Sequence, residues 1–516
     1  MNISTHELTR RGLMKLAAGT AVGLALPAGA RAQQSTPKRG GHFKQALAGG
    51  STSDSFEPGA MWDSAIQNIS AQVRDTLVEV GSDFSPVPAL AESWEPSADA
   101  KTWRFNLRKD VTFHDGKTFT SADVLFSINH HRGPDSISGA KNAVGNVADV
   151  KADGPNAVIF TLSVPSADFP MSLSDYHLPM MQEGTTDWST SVGTGAYVVT
   201  GFEPGVRFTA KRNTNDWRND RGYFNTVETL IINDGVARMN ALVGGQVHAI
   251  NRVDPKTAGL LERGGKFKLQ NVPGTKHFTM PMLADTAPYS DNNVRLALKY
   301  AIDRQQIVDN VLQGYGYVGN DHPIARVNRY YNPNQVIRSY DPDKAQFYLK
   351  KANLSNPVFR LHTSDAAFAG AVDATSLYQE SARRAGVNIQ LIREPADGYY
   401  TRVWMKAPFC TSYWSGRAVE DAILSLAYGS ASNSNESHFK NEKFDDLLLA
   451  ARAEFDEEKR RQIYYEAQAL LSDEGSAIVP VFLNFLQATS ADIGFGEIGA
   501  FEDMDGNRSA VRWWFE

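Results

Sequence analysis

The side chains of this chain best equipped for chemistry are few and poorly partnered. His114-Asp115-Gly116 sets an imidazole beside a carboxylate, a pair able to move protons, but Asp and Gly also suit the backbone of a tight turn. The turn is the preferred reading. His130-His131 offers metal-binding nitrogens, yet adjacent side chains point apart on a helix or strand and no third ligand accompanies them. Cys410 is the sole cysteine, so no intramolecular disulfide can form; without a partner motif it reads as a small core residue. Gly314-Tyr315-Gly316-Tyr317-Val318-Gly319 fits the spacing of a nucleotide loop but follows a helical pattern, not a strand, and runs into Asn320-Asp321-His322-Pro323. Neither G-x-S-x-G nor H-E-x-x-H occurs. A secreted hydrolase is therefore the weakest of the readings considered, and no catalytic residue, cofactor or resident metal is expected.

The elements that would carry these residues alternate in type. Trp103, Phe105 and Leu107 are separated by polar neighbours, the period of a half-buried strand. Ala157–Leu162, Ala196–Phe202, Val227–Ile232, Phe359–His362 and Asn388–Arg393 also read as strands. Thr120 or Ser121 with Asp123 marks a helix start. Val294, Ala297, Leu298 and Ala301 line one face of a helix over Ser290–Ala301. Asp303 caps the next, with Gln306 three residues on and Gly314 as the stop. Phe444, Leu447, Leu448 and Ala451 line a further helix, and after a charged stretch so do Ile463, Ala467 and Leu470. Such alternation predicts α/β architecture.

The N-terminus carries a different message. Thr9-Arg10-Arg11-Gly12-Leu13-Met14-Lys15 resembles a twin-arginine export motif, followed by an apolar run over Leu16–Ala28 that is too short to span a bilayer. Ala30-Arg31-Ala32 fits a cleavage site, so a mature chain beginning at Gln33 is expected, without a lipid anchor because no cysteine lies there. The remaining 484 residues suffice for two to four domains of about 100–200 residues each. A hydrophobic fraction of 42% supports sizeable cores and excludes a disordered chain. The net charge of −6 includes +3 from residues 1–32, leaving about −9, which gives no footing for nucleic acid or an anionic membrane.

Several blocks then point to one family. Ala91-Glu92-Ser93-Trp94, Arg104–Arg108, Phe113-His114-Asp115-Gly116 and Thr120–Val124 follow one another in order. Val192-Gly193-Thr194-Gly195-Ala196-Tyr197, Lys211-Arg212-Asn213 with Trp217, Asn240–His248, Asn293–Arg304 and Tyr340–Ala345 follow later. Together they resemble the signature of the extracytoplasmic solute-binding proteins of family 5, the dipeptide- and oligopeptide-binding components of ABC transporters. Departures are Ala196 in place of a proline and His248 in place of an aspartate. The resemblance covers essentially the whole mature chain. It implies a two-lobed α/β clamshell with an extra N-terminal α/β subdomain. Lobe I would comprise 33–275 plus 487–516, with the extra subdomain at about 58–189, and lobe II 276–486. It further implies a monomeric periplasmic receptor that hands its ligand to an inner-membrane permease served by cytoplasmic ATPase subunits.

The same resemblance points to Tyr413-Trp414-Ser415-Gly416-Arg417-Ala418-Val419-Glu420-Asp421 as the ligand segment. Peptide-binding members have W-x-x-D-x-x-D-P-D-like sequences there; this chain is shorter and lacks D-P-D. Glu420 or Asp421 would meet a peptide's ammonium, with Glu420 slightly favoured, although acids at this place could equally cap a helix. Arg417 could grip a carboxylate or neutralise the neighbouring acids. Trp414, with Tyr413, could supply a flat wall, a cation–π contact or simply core. Ser53 and Asp54, in a loop ending Glu57-Pro58, are the candidates from lobe I. Thr194 is expected to be structural. A non-peptide ligand (an oligosaccharide, an opine-like compound or a nickel chelate) is the alternative within the same transport role.

Overall fold

A computed structural model describes residues 36–133, 136–141 and 143–516. The export segment expected over residues 1–32 lies outside the described residues. Residues 36–516 form one compact unit. Its first strand, β1 (His42–Leu47), is followed by helix α1 (Ser64–Val73).

A four-stranded antiparallel layer comes next, built from β2 (Ala91–Pro96), β3 (Thr102–Leu107), β4 (Val147–Ala152) and β5 (Ala157–Leu162), ordered β2-β3-β5-β4. Helix α2 (Ser121–His130) packs on it and opens with a capping box between Thr120 and Asp123, the start read from the sequence. Trp103, Phe105 and Leu107 are buried as the alternation requires, each contributing about 1.5–3 kcal/mol of burial.

The chain then returns to β1. Strands β6 (Tyr197–Glu203), β7 (Arg207–Arg212), β8 (Thr226–Ile231) and β9 (Ala249–Ile250) extend the sheet, with β8 and β9 flanking β1 in parallel. Two long strands complete it: β10 (Phe267–Pro281) and β14 (Val481–Ser490) run antiparallel, Phe267 opposite Ser490 and His277 opposite Phe482. Between them in sequence lie α3 (Asn292–Tyr300), α4 (Arg304–Asn310), β11 (Val358–Thr363), α5 (Ala371–Arg384), β12 (Asn388–Arg393), β13 (Ser412–Trp414), α6 (Glu420–Tyr428), α7 (Glu442–Ala453) and α8 (Glu457–Glu474). The ten-stranded sheet has the main path β13-β10-β14-β9-β1-β8-β7-β6. Both divisions expected between the lobes, at 275/276 and 486/487, therefore fall inside paired strands.

Most local expectations match the observed elements to within a residue or two. Asp303 accepts a bond from the Gln306 amide, but α4 ends at Asn310; Gly314, at φ 81°, closes the turn that follows instead of the helix itself. The family blocks also lock onto one another. His114 Nε2 bonds the Gly195 carbonyl at 3.0 Å, and the His114 amide donates to the Gly193 carbonyl at 2.9 Å. A Cβ on Gly193 would stand 2.0 Å from the Val73 carbonyl oxygen, so only glycine permits this approach. Thr194 donates to the Asp75 carboxylate at 3.0 Å, and Arg221 pairs with the same buried group. Opposite charge and hydrogen bonds hold the Asp75 carboxyl well below the usual carboxylate range despite burial.

Candidate ligand cleft

Tyr413 and Trp414 end β13, which pairs with β10 so that Trp414 faces His277 across the ladder. Their rings join Tyr400 and Trp404 in a four-ring cluster with centroids 6.1–6.4 Å apart from Tyr400 to Trp404, Tyr400 to Tyr413 and Trp404 to Trp414. Beneath it Glu436 is fully buried and accepts from Trp404 Nε1 and Thr279 Oγ1, both at 2.7 Å; burial pushes its carboxyl up. Trp414 is half-buried, and its indole is among the groups that oppose that rise.

The pairing of β10 with β14 slips between Pro273 and His277, leaving an irregular stretch with Lys276 in it. Such bulges re-aim side chains, and Lys276 Nζ stands 4.6 Å from the centre of the Tyr413 ring. Its ammonium makes no hydrogen bond or ion pair among the described residues. Burial, reinforced by the positive charge of Arg252, lowers its pKa. Gly416 crosses this bulge so closely that a Cβ would lie 1.7 Å from Thr275 Oγ1. Arg417 follows it, with Nη1 donating to the carbonyls of Ser415 and Gly416 at 3.0 Å each.

The two acids expected to anchor an amine are engaged within the protein. Glu420, 2% exposed at the start of α6, accepts from the Tyr330 amide at 2.7 Å; burial, with Asp168 nearby, raises its pKa to about 7. Asp421 accepts twice from Arg452 Nε, at 2.9 and 3.0 Å, tying α6 to α7. Both stand in the first turn of α6, where acids suit the helix dipole. Beside them Arg460 reaches Asp168 at 2.9 Å, and the Ala167 amide bonds the Arg452 carbonyl at 2.7 Å, so the segment after β5 touches α7 and α8. Ser53 and Asp54 close a local turn: Asp54 accepts the Ser51 amide at 2.9 Å, and Ser53 shares a hydroxyl bond with Ser51. No described contact brings that turn to Tyr413, Trp414 or Arg417.

Glu502, from the far end of the chain, lies within the electrostatic reach of Arg417, Arg252 and Lys276. It is half-buried, and its carboxylate takes no hydrogen bond or ion pair among the described residues. Although part of its surface is open, surrounding protein desolvates it enough to raise its pKa to about 7; Asp503 adds to the rise, while Arg417, Arg252 and Lys276 oppose it. Asp503 is already engaged, by Asn251 Nδ2 at 3.1 Å and Arg252 Nε at 3.5 Å. Directly after it Met504, Asp505, Gly506 and Asn507 adopt φ values of 52°, 63°, 64° and 63°, a left-handed turn with the Gly506 amide bonded to the Glu502 carbonyl at 3.1 Å. Left-handed geometry costs roughly 1–2 kcal/mol per non-glycine residue. Asp505 offsets that cost by accepting from the Gly499 amide at 2.7 Å, Trp513 Nε1 at 3.1 Å and Arg512 Nη1 at 3.2 Å. Tyr176 and Asp175, from the segment after β5, lie within the electrostatic reach of Arg417, and Tyr176 also of Glu502.

Sequence reasoning missed Glu502 and Lys276, since no spacing joins positions 276, 417 and 502. Arg417 was named, but its setting was not legible: counting W-x-x-D from Trp414, Arg417 falls where the pattern has its first acid.

Residues 85–436 match the bacterial extracellular solute-binding proteins, family 5. The dipeptide-binding protein of Escherichia coli is 26% identical over 474 residues, covering 82% of this chain and 85% of the relative. The periplasmic binding protein DppA from Helicobacter pylori, solved in complex with peptide STSA, superposes with a TM-score of 0.76 at 21% identity, over 93% of this chain and 99% of that one. NikZ from Campylobacter jejuni, solved with Ni(L-His), gives 0.75 at 22% identity, over 91% and 99%. The two-lobed α/β architecture of such binding proteins is that of this chain. With its motif blocks packed against one another and more than half its length matched, the chain belongs to the extracellular solute-binding proteins of family 5.

Proposed function

We propose that this protein is the peptide receptor of an ABC importer. It captures ligand between two lobes and delivers it to an inner-membrane permease whose cytoplasmic ATPase subunits drive import. The paired strands β10 and β14 serve as hinge between lobe I (33–275 plus 487–516) and lobe II (276–486), with the four-stranded layer as the extra subdomain. Ligand biases the open–closed equilibrium by binding the closed form more tightly; no bond is made or broken. The protein works as a monomer in the periplasm, exported through the twin-arginine route.

The observation that carries the peptide reading is the match of residues 85–436 to the family, on a chain whose candidate segment sets Tyr413 and Trp414 beside Lys276, 4.6 Å from the Tyr413 ring. The E. coli and H. pylori relatives, named for dipeptide binding or solved with a peptide, agree with this reading. A second reading keeps the transport role and takes an oligosaccharide, an opine-like compound or a nickel chelate. The four-ring cluster favours it, because flat apolar faces suit sugar rings and chelate planes.

Thermal unfolding of protein refolded to strip carried-over ligand distinguishes the two. Dipeptides, tripeptides, longer peptides, sugars, opines and nickel chelates are added in turn. A ligand at 100 times its Kd stabilises the native state by about 2.7 kcal/mol. Stabilisation by peptides supports the first reading. Silence with all peptides and a shift with a sugar, opine or chelate replaces the ligand class.

A further inference from the structure

A cavity lies between the C-terminal half of α1, the segment after β5 and the left-handed turn that follows Asp503. No residue of the 413–421 segment lines it. Its volume of about 50 Å³ holds a few waters or one small ion, since one water needs about 10–15 Å³; a peptide does not fit. Among the described residues three arginines, Arg74, Arg508 and Arg512, border it and no acid does.

Three polar groups on its wall lack a hydrogen-bond partner among the described residues. The first is Asn507 Oδ1, on a side chain 5% exposed. The orientation of that amide is fixed from outside. Gln67 donates through Nε2 to the Met61 and Trp62 carbonyls at 3.1 and 3.2 Å, so its Oε1 accepts from Asn507 Nδ2, at 3.3 Å. The unpartnered atom of Asn507 is therefore an acceptor. The second is the hydroxyl of Ser70, a buried residue of α1. The third is the Arg508 guanidinium. Its one acid, Glu79 at 3.8 Å, is shared with Arg218 at 3.1 Å and Arg512 at 3.4 Å. Arg218 and Arg512 each have a second carboxylate, Asp220 and Asp505, and Arg508 has none. Burial lowers the Arg508 pKa, as expected of a charge short of solvation.

Water can answer an amide oxygen and a hydroxyl, but it does not balance a desolvated guanidinium. The missing partner must bring negative charge to Arg508 and a hydrogen to Asn507 Oδ1. A cation fails against three arginines, and sulfate, fully deprotonated, would set oxygen against oxygen at Asn507. We propose that the cavity is a binding site for a small oxyanion that retains a hydroxyl, of which inorganic phosphate and bicarbonate are the simplest. The anion accepts from Arg508, donates its O–H to Asn507 Oδ1 and meets the Ser70 hydroxyl, which can donate or accept. It thereby ties α1 to the turn near the C-terminus. The site is separate from the peptide segment and does not depend on the peptide-receptor reading.

Isothermal titration near neutral pH tests this on the full chain, refolded in buffer free of phosphate and carbonate, with phosphate, bicarbonate, sulfate and nitrate as probes. Phosphate or bicarbonate should bind at one per chain, and sulfate and nitrate about tenfold or more weakly, because they leave a buried acceptor without a hydrogen. Asn507 stands at φ 63°, which glycine adopts freely, so Asn507→Gly removes the acceptor and keeps the turn. In that variant the preference for phosphate over sulfate should vanish. Arg508→Gln should weaken phosphate about tenfold or more. Sulfate bound as tightly as phosphate by the native chain overturns the proposal, as does failure of both phosphate and bicarbonate to bind at millimolar concentration. Neither readout needs a variant, so misfolding of Arg508→Gln does not rescue the proposal. A folded Asn507→Gly that keeps the native preference overturns it as well.

Discussion

Glu420→Gln should make this protein more stable at neutral and alkaline pH, by an amount that follows from its surroundings. The side chain is 2% exposed and accepts one hydrogen bond, from the Tyr330 amide, and burial raises its pKa from an ordinary 4.5 to about 7. In the unfolded chain the same carboxyl ionises near its ordinary value. Between pH 4.5 and about 7, therefore, the folded protein holds a proton that the unfolded chain has released. Stability falls as pH rises through that window and stays at the lower level above it. At about 1.4 kcal/mol per pH unit, the interval amounts to about 3 kcal/mol. Glutamine keeps an acceptor oxygen for the Tyr330 amide and has no proton to lose. Urea unfolding of both proteins at about pH 4, 6 and 8 should show no difference at the lowest pH and a gain of about 3 kcal/mol for the variant at the highest. Peptide affinity should be unchanged. A variant no better at pH 8 than at pH 4 would refute the reasoning, because the native carboxylate would then be ionised and satisfied. A tenfold loss of peptide affinity would return Glu420 to the ligand site.

Three further outcomes follow from the same structure. Arg221→Met leaves Asp75 buried with its principal cation gone and should destabilise by about 3–5 kcal/mol in urea unfolding; a loss below about 1 kcal/mol contradicts the pairing. Cys410 is 1% exposed, and burial raises its thiol pKa, so Ellman's reagent should label it only after denaturant is added; rapid labelling of native protein would show an open path to it. Gly416→Ala places a methyl against Thr275 and should weaken peptide binding while costing about 1–3 kcal/mol in stability; wild-type values in both measurements would mean that the loop has room the structure denies it.

How far the sequence could be read depended on the range of the interaction involved. The strand Thr102–Leu107, the capping box at Thr120 and Asp123, and the apolar face of Val294, Ala297 and Leu298 are set by neighbours within a few residues, so their pattern is visible in one dimension. The family blocks carry the fold for a related reason. His114, Gly193 and Gly195 meet by an imidazole hydrogen bond, a backbone hydrogen bond and a Cβ-free approach that few other residues satisfy, and their types therefore show even where their meeting does not. Trp414, Tyr413 and Arg417 were legible as a segment rich in binding chemistry, but which of their neighbours stay unpaired was not. Glu420 and Asp421 look like free acids in sequence; Tyr330 and Arg452, distant in the chain, occupy them. Glu502 looks like one acid among several, and only the folded chain brings it within the electrostatic reach of Arg417 and Lys276. Local propensity and family motif thus determined the elements and the class of protein. The charge balance of the cleft was decided by the tertiary structure, because whether a buried charge is paired depends on groups that only folding brings within reach.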